Sequence, residues 1–249
     1  MSCVRYSLDG AVASIRLDRP HRLNAVTPEM VDELVGTLER ARSEGARLVL
    51  LSGEGRAFCA GWDLKEPPPV ETIDEARVRL QRMQDVTRRI VDFPGPVIAA
   101  LHGYAIGAGI EFALACDVVI ASEETVIGFP EVSVGLTSTN GASALLPQAL
   151  GILRAKELLL LTDRIDAGRA WNLGLVSQLA PVGDHESAAR DIAESLLGRS
   201  QDALALTKRL INAGAQSTLQ QALDFEVDVA VSTIETGLAQ AASERFPTR

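Results

Sequence analysis

The sequence predicts an α/β protein in which strands and helices alternate through the first part and helices alone fill the last. Three observations carry this. Short apolar runs at 12–17, 48–51 and 97–101 are bounded by turn residues, as buried strands are. Stretches with apolar residues at helical spacing separate them, a pattern that suits crossover units on a parallel sheet. From Ala142 onward helical spacing dominates, with one short strand expected at 176–179.

Taken in order, the runs at 4–8 and 12–17 flank Asp9-Gly10, a dipeptide that favours a two-residue hairpin turn. Asp18-Arg-Pro20 ends the second strand. Thr27-Pro-Glu-Met30 opens a helix, with threonine as cap and proline in the first turn. Met30, Leu34, Val35, Leu38 and Ala41 form its apolar stripe to about Ser43. After the strand at 48–51, Ser52 to Gly55 reads as a loop. A charged amphipathic helix spans 73–91, following the stiff break at Pro67 to Pro69. Strands follow at 97–101, 117–121 and 126–129. A glycine-rich bend, Gly103 to Gly109, lies between the first two and opens a helix. An irregular segment begins at Pro130-Glu131. Helices are then expected at 142–150, 153–162, 166–173, 185–198, 201–213 and 218–240.

With 249 residues, 47% of them hydrophobic, the chain can bury a sizeable core. We divide it at 190, into a β/α core over 1–190 and a helical region over 191–249. That tail carries many apolar positions for its length, as expected where a surface packs against something beyond its own core. The net charge of −9 argues against a nucleic-acid backbone or an anionic membrane surface as the main partner. No apolar run is long enough to span a bilayer, and the N-terminus lacks a basic region followed by an apolar signal core. A cytoplasmic protein is expected. Cys3, Cys59 and Cys116 form no disulfide framework, and neither they nor His21, His102 and His185 have metal spacing, so no metal is expected. Gly107-Ala-Gly109 begins a dinucleotide fingerprint, but Phe112 stands where its third glycine belongs. No phosphate-binding Gly-Lys-Ser/Thr loop is present. Ser133 has Glu131 where a nucleophile elbow needs glycine.

Three stretches stand out: Phe58-Cys-Ala-Gly-Trp-Asp-Leu64, His102 to Glu111, and Phe129-Pro-Glu-Val-Ser-Val-Gly135. Each joins a turn or strand end to a helix start. Backbone N–H groups from two such loops can converge on one carbonyl oxygen, and two nearby acids can manage protons. Glu111 is the more conspicuous acid, alone between Ile110 and Phe112, where burial without a partner is costly. Both acids also suit a helix's first turn, where they complement the dipole without any chemistry.

With these residues in view, the chain resembles the crotonase superfamily, the enoyl-CoA hydratase/isomerase family. The matching features are Asp18-Arg-Pro with Asn24-Ala25, Gly55 to Leu64, Gly103 to Glu111, Cys116-Asp117, Phe129-Pro-Glu131, and Ala167-Gly-Arg-Ala170 with Gly174-Leu-Val176. The resemblance implies a spiral of ββα units with C-terminal helices that build homotrimers, often paired into hexamers. It implies an acyl-CoA thioester as substrate, coenzyme A being part of the substrate and no further cofactor being needed. By motif position the thioester oxygen falls to the backbone N–H groups of Trp62 and Ala108, and catalysis to Glu111 and Glu131. Asp117 matches a structural aspartate. Arg22, Leu23, Ala60 and Lys65 fall where the family holds coenzyme A, with His21 adding local charge.

This chain departs from the family pattern at two places. Trp62 is bulkier than the small residue common there. The loop 136–143 lacks the proline and glycine-rich turn of short-chain hydratases, and its polar Thr137, Ser138, Thr139 and Asn140 either contact an acyl group or satisfy local backbone. Three readings follow: a 2-enoyl-CoA hydratase, a Δ3,Δ2-enoyl-CoA isomerase using Glu131 alone, and a silent acyl-CoA binder.

Overall fold

The computed structural model describes residues 2–66 and 70–237. It begins with the hairpin β1 (Val4–Asp9) and β2 (Val12–Leu17), which pair antiparallel from Val4↔Leu17 to Asp9↔Val12. The two-residue loop is Gly10-Ala11, one position later than the sequence suggests. Asp9 stays in the ladder, and Gly10, at φ +57°, takes the first loop position, where a type II′ turn favours glycine.

The chain then crosses over repeatedly. α1 (Pro28–Ser43) leads to β3 (Leu48–Gly53), α2 (Ile73–Val91) to β4 (Val97–Leu101), and α3 (Ala108–Leu114) to β6 (Val118–Ser122); β5 (Tyr104–Ile106) lies between β4 and α3. Parallel strands need such crossovers. The sheet order is β1-β2-β3-β4-β6-β9, with β9 at Gln178–Ala180, and every pairing after the hairpin is parallel. β3 and β4 are buried along their whole length, as strands covered on both faces are.

α1 forms where expected. The Thr27 side chain accepts from the Met30 amide at 3.3 Å, Pro28 occupies the first turn, and Met30, Leu34, Val35, Leu38 and Ala41 are all buried. α2 starts with a capping box, Thr72 with Glu75, which sequence reading passed over.

A second, three-stranded sheet has the order β5-β7-β8, with β7 at Val126–Gly128 and β8 at Ile165–Asp166. Single parallel bridges, Cys59↔Ala105 and Val26↔Trp62, continue the same wall. Each turn of the chain thus runs from the large sheet to this wall and then into a helix. That is a spiral of ββα units.

After β7 come α4 (Ala142–Leu150), α5 (Ile152–Leu161), α6 (Ala167–Leu173) and α7 (His185–Leu197). The first compact unit ends at Gly198 rather than at 190. α7 belongs to it because Ala189 and Ala193, with Ile192 and Leu196, pack on Leu48, Ile98 and Ile120 of the large sheet. The second unit, from Arg199, contains α8 (Gln201–Gly214) and α9 (Leu219–Glu235). Ile211, Leu219, Leu223, Val227, Val231 and Ile234 are exposed on these two helices. Residues 238–240 of the helix expected at 218–240 lie outside the described residues.

Candidate active site

The site is built where the 59–62 segment meets the start of α3. Val26 N–H donates to the Gly61 carbonyl at 2.8 Å, and Asp63 N–H to the Val26 carbonyl at 2.9 Å. In a parallel bridge of this kind the intervening residue's own N–H points to the other side. For Trp62 that is away from Val26. A Cβ added to Gly61 would lie 2.8 Å from the Ile106 carbonyl and 3.6 Å from the Gly107 Cα, so the two loops touch there. Gly109 allows the same closeness two residues after Gly107, where a Cβ would meet the Cys59 carbonyl at 2.6 Å.

Gly107 caps α3 at φ +53°, ψ −126°, a conformation open to glycine. Its N–H donates to the Gly128 carbonyl at 2.9 Å, which ties the end of β5 to β7. Ala108, as the first helical residue, has no intrahelical acceptor for its N–H. Among the described residues no protein oxygen accepts from the amide of Trp62 or of Ala108. The structure therefore brings two unengaged amides to adjoining loops, one of them at the positive end of a helix.

Two acids sit at the same corner. Glu111, one turn into α3, is 1% exposed. It is not the unpaired buried acid that its apolar neighbours suggest. Its Oε1 accepts from the Thr139 N–H at 2.8 Å, and its Oε2 from the Thr139 hydroxyl at 3.0 Å and the Asn140 side chain at 2.8 Å. Thr139 and Asn140 thus serve a carboxylate rather than local backbone. Sequence reading missed this role, and the only signal for it was a polar cluster following the second acid. Asn140 is fully buried at φ +48°, and its carbonyl accepts from the Thr87 hydroxyl of α2 at 3.0 Å.

Glu131 opens a 3-10 turn (Glu131–Val134) directly after β7. A Cβ on Gly107 would stand 2.8 Å from its Oε1, so this carboxyl lies against the α3 cap. Its Oε2 is buried and has no hydrogen-bond partner. Burial lifts its pKa from the ordinary 4.5 to about 7, opposed by a hydrogen bond from its own amide and helped by a smaller push from the negative charge of Glu111. One acid accepts three hydrogen bonds. The other keeps one buried oxygen unpartnered and is poised to hold a proton near neutrality.

The four residues expected to hold coenzyme A lie on the segments 22–23 and 60–65, which hydrogen bonds and an ion pair tie together. Ala60 N–H donates to the Leu23 carbonyl at 3.0 Å. Leu23 and Asn24 are consecutive left-handed residues at φ +51° and +55°. Asn24 holds that bend by accepting from Arg19 N–H at 2.8 Å and donating to the Glu54 and Ala57 carbonyls at 2.9 and 2.7 Å. The Arg22 guanidinium pairs with Asp63 at 2.8 Å, and Arg19 joins it at 3.2 Å. Against desolvation, which pushes it up, the hydrogen bonds from Arg22, the Lys65 amide and Arg19 hold the Asp63 carboxyl below its ordinary range. Lys65 and His21 are exposed.

The remaining motif residues are structural. Asp117 accepts from Val97 N–H at 2.7 Å and pins the start of β4. Cys59 is buried, its thiol is pushed up to about 12 by desolvation, and it donates to the Asn24 carbonyl at 3.1 Å. Among the described residues no group of three or more His, Cys, Asp or Glu side chains could hold a metal ion, and no helix is long and apolar enough to cross a membrane.

A ββα spiral with two unengaged amides beside two carboxyls is the arrangement of a crotonase-type enzyme. Residues 7–247 match the family model described as enoyl-CoA hydratase/isomerase. The chain is similar to a probable mitochondrial enoyl-CoA hydratase of Dictyostelium discoideum, 33% identical over 96% of this chain and 87% of that one. Among solved structures it resembles an enoyl-CoA hydratase from Bacillus anthracis, at TM-score 0.90 and 32% identity over 98% and 96% of the two chains. A putative enoyl-CoA hydratase from Thermobifida fusca, solved in complex with CoA, matches at TM-score 0.88 and 29% identity over 96% and 95%. The chain belongs to the enoyl-CoA hydratase/isomerase family.

Proposed function

We propose that this protein is an enoyl-CoA hydratase, adding water syn across the 2,3-double bond of a 2-enoyl-CoA thioester. The observation that carries this reading is the unlike pair of acids, Glu111 held by three donors and Glu131 with one buried oxygen unpartnered and a pKa of about 7. Hydration needs both an acceptor and a donor of protons, and two acids in unlike surroundings supply them.

The backbone N–H groups of Trp62 and Ala108 hold the thioester oxygen. Density drawn onto that oxygen makes C3 electrophilic and stabilises the enolate that forms as water adds. Glu111 accepts a proton from the water as its oxygen bonds to C3. Protonated Glu131 then gives its proton to C2, and the proton left on Glu111 restores the starting state by exchange with solvent. Arg22, Leu23, Ala60 and Lys65 hold the coenzyme A part of the substrate, which is the only coenzyme the reaction uses. The exposed apolar residues of α8 and α9 support assembly into homotrimers or hexamers.

One experiment tests both parts. The purified chain is sized by light scattering and then given crotonyl-CoA and a 3-enoyl-CoA separately. We expect three or six times the chain mass and a 3-hydroxyacyl product from crotonyl-CoA. Double-bond migration without water addition would replace this reading by the isomerase one, and a monomer would remove the assembly.

A further inference from the structure

The Trp62 amide belongs to the proposed thioester site, but its side chain faces a different space. It lines a cleft of about 580 Å³ between α1 and α2. Pro28 and Val31 from α1 and Val78 and Met83 from α2 give the cleft an apolar lining. That volume lies within the range of small-molecule sites, roughly 300 to 1,000 Å³. It far exceeds what the single methyl of a crotonyl tail needs.

The charges at the cleft are already committed. Arg79 is held by Glu71 through contacts of 2.7, 3.1 and 3.2 Å, and its guanidinium lies 5.5 Å from the centre of the Trp62 ring. This cation–π contact and ion pair together fix the indole as a wall. Arg82 pairs with Asp32 at 2.7 Å. Asp74 and Glu75 add further negative charge to the lining. Among the described lining residues a tail ending in a carboxylate would meet no uncommitted cation and several acids, and desolvating it would be costly.

We propose that Trp62, fixed by Arg79 and Glu71, is the specificity-determining wall of an acyl cleft that selects an uncharged, apolar tail of roughly six to ten carbons. At about 30 Å³ for each methylene-sized group, such a tail fills a third to a half of the cleft. The inference rests on the hydratase reading for the thioester's position. It goes beyond that reading in naming the tail.

The test separates the two. Trp62 and Trp171 are the chain's only tryptophans, and Trp171 is 51% exposed. Trp171→Phe therefore makes Trp62 the sole emitter. Titration with saturated octanoyl-CoA should shift Trp62 emission and give affinity at least tenfold above acetyl-CoA, while the eight-carbon ω-carboxyacyl-CoA should bind no better than acetyl-CoA. In turnover, Trp62→Ala, which removes the wall but keeps the backbone amide, should lower the ratio of kcat/KM for 2-octenoyl-CoA over crotonyl-CoA at least tenfold. An unchanged ratio, or octanoyl-CoA binding that leaves Trp62 emission unmoved, overturns the proposal. If no 2-enoyl-CoA is hydrated, the hydratase reading fails, and the fluorescence titration still decides where the tail lies.

Discussion

Glu131→Gln is expected to lower hydration about 100- to 10,000-fold while the chain stays folded, because the amide cannot give a proton to C2. The pH profile carries the sharper signature. The Glu131 carboxyl keeps its proton up to about pH 7, held there by burial and by the charge of Glu111. The hydration rate should therefore fall as pH rises through about 7, and this alkaline limb should be absent from the residual activity of Glu131→Gln. The stability effect runs in the same direction. The folded pKa lies above the ordinary 4.5, so the contribution is complete below 4.5 and lost as pH rises through about 7. At pH 8 the ionised carboxylate, with one buried oxygen unpartnered, costs the wild type on the order of 1 to 2 kcal/mol after allowance for solvent. The glutamine variant should melt higher there and no higher at pH 4. A variant as active as wild type at every pH would remove Glu131 from the mechanism.

Gly107→Ala should be nearly as damaging without touching any acid. The backbone at Gly107 sits at φ +53°, and the new Cβ would meet Glu131 Oε1 at 2.8 Å. Relief requires either the α3 cap or the Glu131 carboxyl to move, and the Ala108 amide rides on that cap. Misplacing one oxyanion donor typically costs about 100- to 1000-fold in rate, with the strained backbone adding about 1 to 3 kcal/mol of instability. Thermal melting beside kinetics separates the two effects. Wild-type turnover in a folded Gly107→Ala protein would mean that the Ala108 amide does not act.

Much of the fold was legible because its signals are local. Thr27-Pro28 marks the start of α1 by chemistry that acts within one turn, and the apolar stripe from Met30 to Ala41 gives its buried face. What escaped has little local signal. β5 and β8 span three and two residues, too short for any alternation to emerge, and both are held by pairing to β7, distant in sequence. α7 reads as the start of the helical tail, yet Ala189 and Ala193 bury it on the large sheet.

At the site, both acids and both amides can be named from motif position, but their environments cannot. The sequence marks Glu111 as a lone acid in an apolar run, costly to bury without a partner. Folding solves it with Thr139 and Asn140, 28 and 29 residues away, and leaves the unpartnered oxygen on Glu131 instead. The bulk of Trp62 reads as an oddity until α2 supplies Arg79 to hold its ring.

In the proposed site the Trp62 and Ala108 amides converge on one oxygen, with Glu111 and Glu131 flanking the reacting carbons. A crystal structure with a bound 3-hydroxyacyl-CoA decides this. We predict the thioester oxygen within about 3.1 Å of both amide nitrogens and the 3-hydroxyl between the two carboxyls. A thioester oxygen bonded to neither amide, or a hydroxyl remote from both acids, would contradict it.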